Sequence, residues 1–140
     1  MNLNAPLLRS TFEAATKNEP RLVQEFYAIL FERYPQVKPL FQRSEPETQA
    51  QMLRDALLLV LDHLDDASWL AGTLRTLGKK HQEYGVTAEM YDWVGECLLA
   101  ALAKAAGDAW TSDAADAWHE AYQALAGLML NGALSGEQTN

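Results

Sequence analysis

An imidazole interrupts an apolar stripe at His81. Counting back at helical spacing gives Leu77, Leu74 and Leu70, so the pattern calls for another leucine where the histidine stands. Two more polar residues break apolar faces in the same way. Tyr27 sits among Phe26, Leu30 and Phe31, and Gln49 heads a face continued by Leu53, Ala56, Val60 and Leu64. Any one of the three, taken alone, most often marks a core residue whose polar tip finds a backbone partner. Together they offer a lone-pair nitrogen and two hydrogen-bond donors. A single histidine without a nearby Cys, His or carboxylate pair cannot build a structural zinc site. It can supply the one axial bond that haem iron needs, because a porphyrin provides the other four nitrogens.

Other reactive side chains carry less. His63 follows Gln49 by 14 residues on the same predicted helix, ~21 Å at the usual rise, and reads as an exposed helix-end residue. His119 is expected to face solvent, and Cys97 reads as a small buried hydrophobe. Trp69, Trp93, Trp110 and Trp118 read as packing groups, although nothing in the sequence separates packing from electron transfer. Asp62, Asp65 and Asp66 lack the alternating ligands and central glycine of a calcium loop, so they read as a solvated turn and helix start.

The elements that must position these residues are all helical. The chain has 140 residues with 49% apolar content, enough for one domain, here expected to span 1–140 with a frayed tail from about 134. Eleven Lys and Arg against 19 Asp and Glu, a net charge of −8, leave no basic footprint for nucleic acid. No apolar run approaches the ~20 residues of a membrane span, and the start has no apolar signal core. A cytoplasmic location is the expectation. One cysteine excludes an intramolecular disulfide and a multi-cysteine zinc site.

Periodicity and punctuation predict a helix from about Ala5 to Lys17 and a second starting at Pro20 behind an Asn18 cap. A short helical turn lies between Pro35 and Leu40, and a third long helix runs from Pro46 to His63. The histidine helix spans Ala67 to Glu83 and stops at Gly85. Thr87 caps a helix to Ala106 with Gly107 behind it, and Thr111 or Ser112 caps the last, from Asp113 to Asn131 with Gly132 as its stop.

Three stretches carry a resemblance that covers nearly the whole chain: EFYAILFERYPQVKPLF (25–41), LGKKHQEYGVTAEMYDWVGECLLAAL (77–102) and DAADAWHEAYQALAGLML (113–130). In order and spacing they resemble the globins, specifically single-domain bacterial globins and the globin domain of flavohaemoglobins. The resemblance implies an all-α globin fold of six to seven helices enclosing haem b. It implies His81 as the proximal iron ligand, Tyr27 and Gln49 as distal donors to oxygen, and Phe41 as the ring against the porphyrin. Leu53, Val94 and Leu98 would form apolar walls, and Lys80 would meet a haem propionate. Gln49 is counted backward from His81, and Gln51 is the alternative if the preceding loop is counted forward. The remaining N–H of His81 needs an acceptor, most simply the Leu77 carbonyl.

Flavohaemoglobins also pair the proximal imidazole with a tyrosine and a glutamate. The tyrosine is matched by Tyr91, but ungapped extension of the last helix puts Ala133 at the glutamate's place, with Glu137 the nearest acid. The expected ligands are oxygen, nitric oxide and carbon monoxide, in a monomer or homodimer. The expected chemistry is reversible oxygen binding with nitric oxide dioxygenation. No flavin or nicotinamide segment is present, so an external reductase is expected. The alternative is a non-enzymatic signalling or interaction module that keeps the fold, with or without haem.

Overall fold

The computed structural model describes residues 3–18, 22–41 and 45–138, apart from the side chains of 18 and 133–138. Its elements are α1 (Ala5–Asn18), α2 (Leu22–Arg33), a 3-10 segment (Pro35–Phe41), α3 (Pro46–Asp62), α4 (Ala67–Glu83), α5 (Ala88–Ala106), a 3-10 turn (Gly107–Ala109) and α6 (Ser112–Gln138). No strand occurs among the described residues, so the all-α expectation holds. Among those residues no helix is long and apolar enough to cross a membrane.

The helix limits follow from local chemistry. The Asp66 carboxylate accepts from the Trp69 N–H at 3.2 Å, Thr87 from Met90 at 3.4 Å and Thr111 from Ala114 at 3.1 Å, each satisfying a first-turn donor. Of the two candidates before α6, Thr111 is therefore the cap. Gly85 and Gly107 end α4 and α5 at φ of 94° and 57°, where a side chain would be strained. The Asn18 cap and the helix start at Pro20 fall outside the described residues.

One predicted stop is wrong. Gly132 does not end α6, which continues to Gln138. A Cβ at Gly132 would collide with the Arg75 backbone, and one at Gly78 with the Met129 backbone. These glycines let α4 and α6 cross at backbone contact, so Gly132 serves an approach between helices rather than a termination.

Leu8, Phe12 and Ala15 of α1 and Leu22, Phe26 and Leu30 of α2 close on Leu98, Ala101, Leu102 and Ala105 of α5, with Trp118 and Ala121 of α6 beside them. Outside this core, Arg33 and the Tyr34 hydroxyl both bind the Glu96 carboxylate, at 2.9 and 2.8 Å, tying the end of α2 to α5. Those two hydrogen bonds, Tyr34's first, hold the carboxyl below its ordinary range.

The layering keeps α3 apart from α4. α4 lies almost wholly on α6, whereas α3 rests on α1 and α2 and scarcely meets α4 or α5. The core therefore covers only part of α3's apolar arc. Leu61 and Ala50 are buried and Leu53, Leu57, Val60 and Leu64 half-buried, but Ala56 is exposed, as are Met52 and Leu59 at 56% and 43%. The face predicted through Ala56 thus holds at four of its five positions and opens at the fifth.

Candidate functional site

α4 presents His81 by burying the stripe behind it. Leu70, Leu74 and Gly78 are buried, Leu77 and His81 half-buried, so the imidazole emerges where the stripe leaves the core. Its Nδ1 lies 2.7 Å from the Leu77 carbonyl oxygen. A carbonyl can only accept, so Nδ1 carries the proton in this contact, and in the neutral ring Nε2 keeps its lone pair.

Beside it, the Tyr91 ring of α5 stands 6.4 Å from the imidazole, tilted by 34°. The Tyr91 hydroxyl is buried without a hydrogen-bond partner. Its backbone is held from α6, where the Tyr122 hydroxyl donates to the Tyr91 carbonyl at 2.6 Å. Gly95 permits this, because a Cβ there would overlap the Tyr122 ring. Burial raises the pKa of both phenols, so each remains a protonated donor. The side chains of Ala133 and Glu137, the two positions weighed for a proximal acid, lie outside the described residues. Val94 is half-buried, Leu98 is buried, and Lys79 and Lys80 are exposed near the end of α4.

A second cluster forms where α2, the 3-10 segment and α3 meet. The Tyr27 ring packs among Phe26, Phe31 and Phe41 with centroids at 5.0, 5.8 and 5.3 Å. Gln49 Nε2 donates to the Tyr27 oxygen at 3.5 Å, and the Tyr27 hydroxyl reaches the backbone carbonyl of Gln49 at the same distance. Both contacts are at the outer limit of hydrogen bonding, so neither donor is strongly committed. Burial pushes the Tyr27 phenol up, with the Gln49 amide pulling the other way. Gln51 is exposed and donates to Asp55 at 2.8 Å. The structure thus brings Gln49, not Gln51, to Tyr27, with Leu53 half-buried one turn on.

His63 departs from its expected exposure. It stacks on Trp69 at 3.8 Å, and its Nδ1 lies 2.8 Å from the Leu59 carbonyl, so it closes the α3–α4 turn. His119 is exposed and Cys97 buried, as expected; burial raises the thiol's pKa.

The sequence reading missed a cavity of about 440 Å³ lined by Gln24, Tyr27, Phe31, Lys38, Phe41, Glu45, Pro46, Gln49 and Ala50. Gln24 and Phe31 lie three before and four after Tyr27, so their shared face was readable. Lys38 and Ala50 arrive by tertiary folding and left no local signal. Tyr122 also went unassigned, because a phenol reaching a carbonyl 31 residues away has no signature in spacing.

The family model described as Globin matches residues 24–129. A protein called Flavohemoprotein from Burkholderia sp. (strain TH2) is 34% identical over 128 residues, covering 89% of this chain and 31% of its own length. Another from Chromobacterium violaceum is 33% identical over 126 residues, again covering 89% of this chain and 31% of its own length. The chain thus spans about a third of these relatives. Among solved structures, an engineered carbene transferase described as a putative nitric oxide dioxygenase from Rhodothermus marinus is similar at a TM-score of 0.82 and 32% identity, covering 99% of this chain and 98% of its own. A bacterial globin from Campylobacter jejuni has a TM-score of 0.79 at 24% identity, with 96% of each chain covered, a likeness of fold.

Proposed function

The chain belongs to the globin family, and from that premise we propose that it holds a b-type haem through His81 and binds oxygen and other diatomic gases reversibly, with dioxygenation of nitric oxide as its reaction. Three features of the residues support a fit to haem. The Leu77 carbonyl fixes the His81 tautomer and leaves Nε2 as the ligand atom. α3 and α4 scarcely meet, and Leu53 and Val60 of α3 and Val94 of α5 are left half-buried, apolar residues available to a flat apolar ring. α3 also exposes Met52, Ala56 and Leu59, more apolar surface than the core covers. The first of these carries the reading, since an isolated imidazole with a fixed tautomer suits one axial bond and no multi-residue metal site; no cluster of three metal-ligating side chains occurs among the described residues.

Haem held by His81 would supply a ferrous iron able to bind diatomic gases and to support oxidation of nitric oxide to nitrate, with one electron per turnover from an external donor. The chain's own residues set the conditions. Tyr27 and Gln49 present an O–H and an N–H, the donor types that a partly negative diatomic ligand accepts. Leu53, Phe41, Val94 and Leu98 exclude water, which slows loss of the ferrous state. Lys80, exposed beside His81, offers a cation to a propionate in an otherwise acidic protein.

An absorption spectrum of the reduced protein under nitrogen and then oxygen tests this reading. A reversible change between two distinct spectra is expected, followed by nitrate formation on adding nitric oxide. A spectrum insensitive to oxygen would contradict it.

A further inference from the structure

We propose that Tyr34 and Trp93, with Glu96 as proton acceptor, form a one-electron donor site that gives an electron to strong oxidants. The site goes beyond the haem reading and does not depend on it; a haem oxidised by hydrogen peroxide is one source of such an oxidant, and solution is the other. Three observations carry the proposal.

First, the Tyr34 ring lies flat on the Trp93 indole, with centroids 4.9 Å apart and planes 8° from parallel. The negative face of one ring stabilises positive charge on the other, so a hole left by oxidation is shared. Second, the Tyr34 hydroxyl donates to Glu96 Oε1 at 2.8 Å, while Arg33 holds the other oxygen at 2.9 Å. An oxidised phenol is a strong acid, and an ionised carboxylate already at bonding distance takes its proton without rearrangement. Other tyrosines lack this: Tyr122 donates to a carbonyl, Tyr27 meets Gln49 only at 3.5 Å, and the Tyr91 hydroxyl has no partner among the described residues. Third, the pair joins surface to interior. Arg33 and Glu96 are exposed, Tyr34 and Trp93 are half-buried, and Trp93 directly precedes Val94, proposed above to face haem. Trp69 stacks on His63 and Trp118 tilts against Phe12, neither of them on a phenol.

Electrons and protons balance. Tyr34 gives one electron to the oxidant and its hydroxyl proton to Glu96, leaving a neutral tyrosyl radical beside a protonated carboxyl. One electron from a small-molecule reductant such as ascorbate, with return of that proton, restores the phenol and the carboxylate.

Two oxidants test the site on the full chain: a photogenerated ruthenium tris-bipyridine complex in solution, which needs no haem, and hydrogen peroxide added to the hemin-loaded protein. Radicals are read by electron paramagnetic resonance, with ring-deuterated tyrosine separating tyrosyl from tryptophanyl signals. Under the ruthenium oxidant a tyrosyl radical is expected at Tyr34 although Tyr84 is the more exposed, at 47%, and is expected to be lost in Tyr34→Phe. Glu96→Gln keeps the shape and removes the proton acceptor, so formation of the radical should slow roughly 100-fold. Wild-type formation should also be slower in deuterium oxide, which a merely structural role for Glu96 would not produce. A Tyr34 radical under peroxide as well assigns the haem as a source of oxidant; its appearance under ruthenium alone assigns the source to solution. A tyrosyl signal that persists in Tyr34→Phe, or a rate unchanged in Glu96→Gln, would overturn the donor site. A chain that takes up no haem would overturn the haem reading and leave the ruthenium result to decide this one.

Discussion

His81 Nδ1 and the Leu77 carbonyl oxygen lie 2.7 Å apart, so a neutral backbone acceptor holds the proton of the proposed iron ligand. A carbonyl withdraws that proton less than a carboxylate would, and the imidazole stays closer to neutral. The iron–histidine stretch of the deoxy protein, measured by resonance Raman, is therefore expected near that of oxygen-storage globins and below that of peroxidase-like ones. A strongly raised frequency would mean that an acid reaches the imidazole; Glu137→Gln should then lower it.

Tyr27 and Gln49 should act as separable donors. Tyr27→Phe forfeits a hydrogen bond to a partly charged acceptor, ~1.5–3 kcal/mol, and should raise the oxygen off-rate roughly 10- to 100-fold. Gln49→Leu should raise it too. Gln51→Leu should not, because that amide is occupied by Asp55 on the exposed face. An off-rate that responds at Gln51 and not at Gln49 would reverse the assignment.

Two glycines of α4 should respond to alanine with opposite signs. Gly78→Ala forces a methyl into the Met129 backbone and is expected to cost about 1–3 kcal/mol or more. Gly72 has nothing within 4 Å of an added Cβ, so Gly72→Ala should gain about 0.5–1 kcal/mol from helix propensity. Urea unfolding midpoints decide this; equal shifts in both variants would contradict the close crossing of α4 on α6.

Alkaline pH should weaken the fold. Burial raises the phenols of Tyr27, Tyr91 and Tyr122 above their ordinary value of 10.0, so on raising the pH past 10 the unfolded chain loses these protons before the folded one does. Stability present below that pH is lost above it. The urea midpoint should fall between pH 9 and pH 11, and fall less in Tyr122→Phe. Identical slopes in the two proteins would show that Tyr122 does not contribute.

Much of this was readable from the chain because caps and stops are local chemistry. Thr87, Asp66, Gly85 and Gly107 sit where a helix must begin or end, and each does its expected work. Gly132 misled because a stop and a helix crossing both call for a residue without a side chain; only the position of Arg75 distinguishes them. His81, Tyr27 and Gln49 stood out because a polar residue on an apolar stripe breaks a period. Lys38 and Ala50 break none, and their place at one cavity emerges only when the 3-10 segment and α3 come together. His63 looked like an exposed helix-end residue because sequence does not show the Trp69 ring that covers it.

The central claim is that His81 is the iron ligand, and the most direct measurement is the absorption spectrum of hemin-reconstituted wild type and His81→Ala, ferric and ferrous. Wild type should take up one haem per chain and show a Soret band, while His81→Ala should lose the haem or hold it loosely with an altered ferrous spectrum, partly restored by added imidazole. A wild-type protein without a Soret band, or a His81→Ala protein with the wild-type ferrous spectrum, would contradict the account.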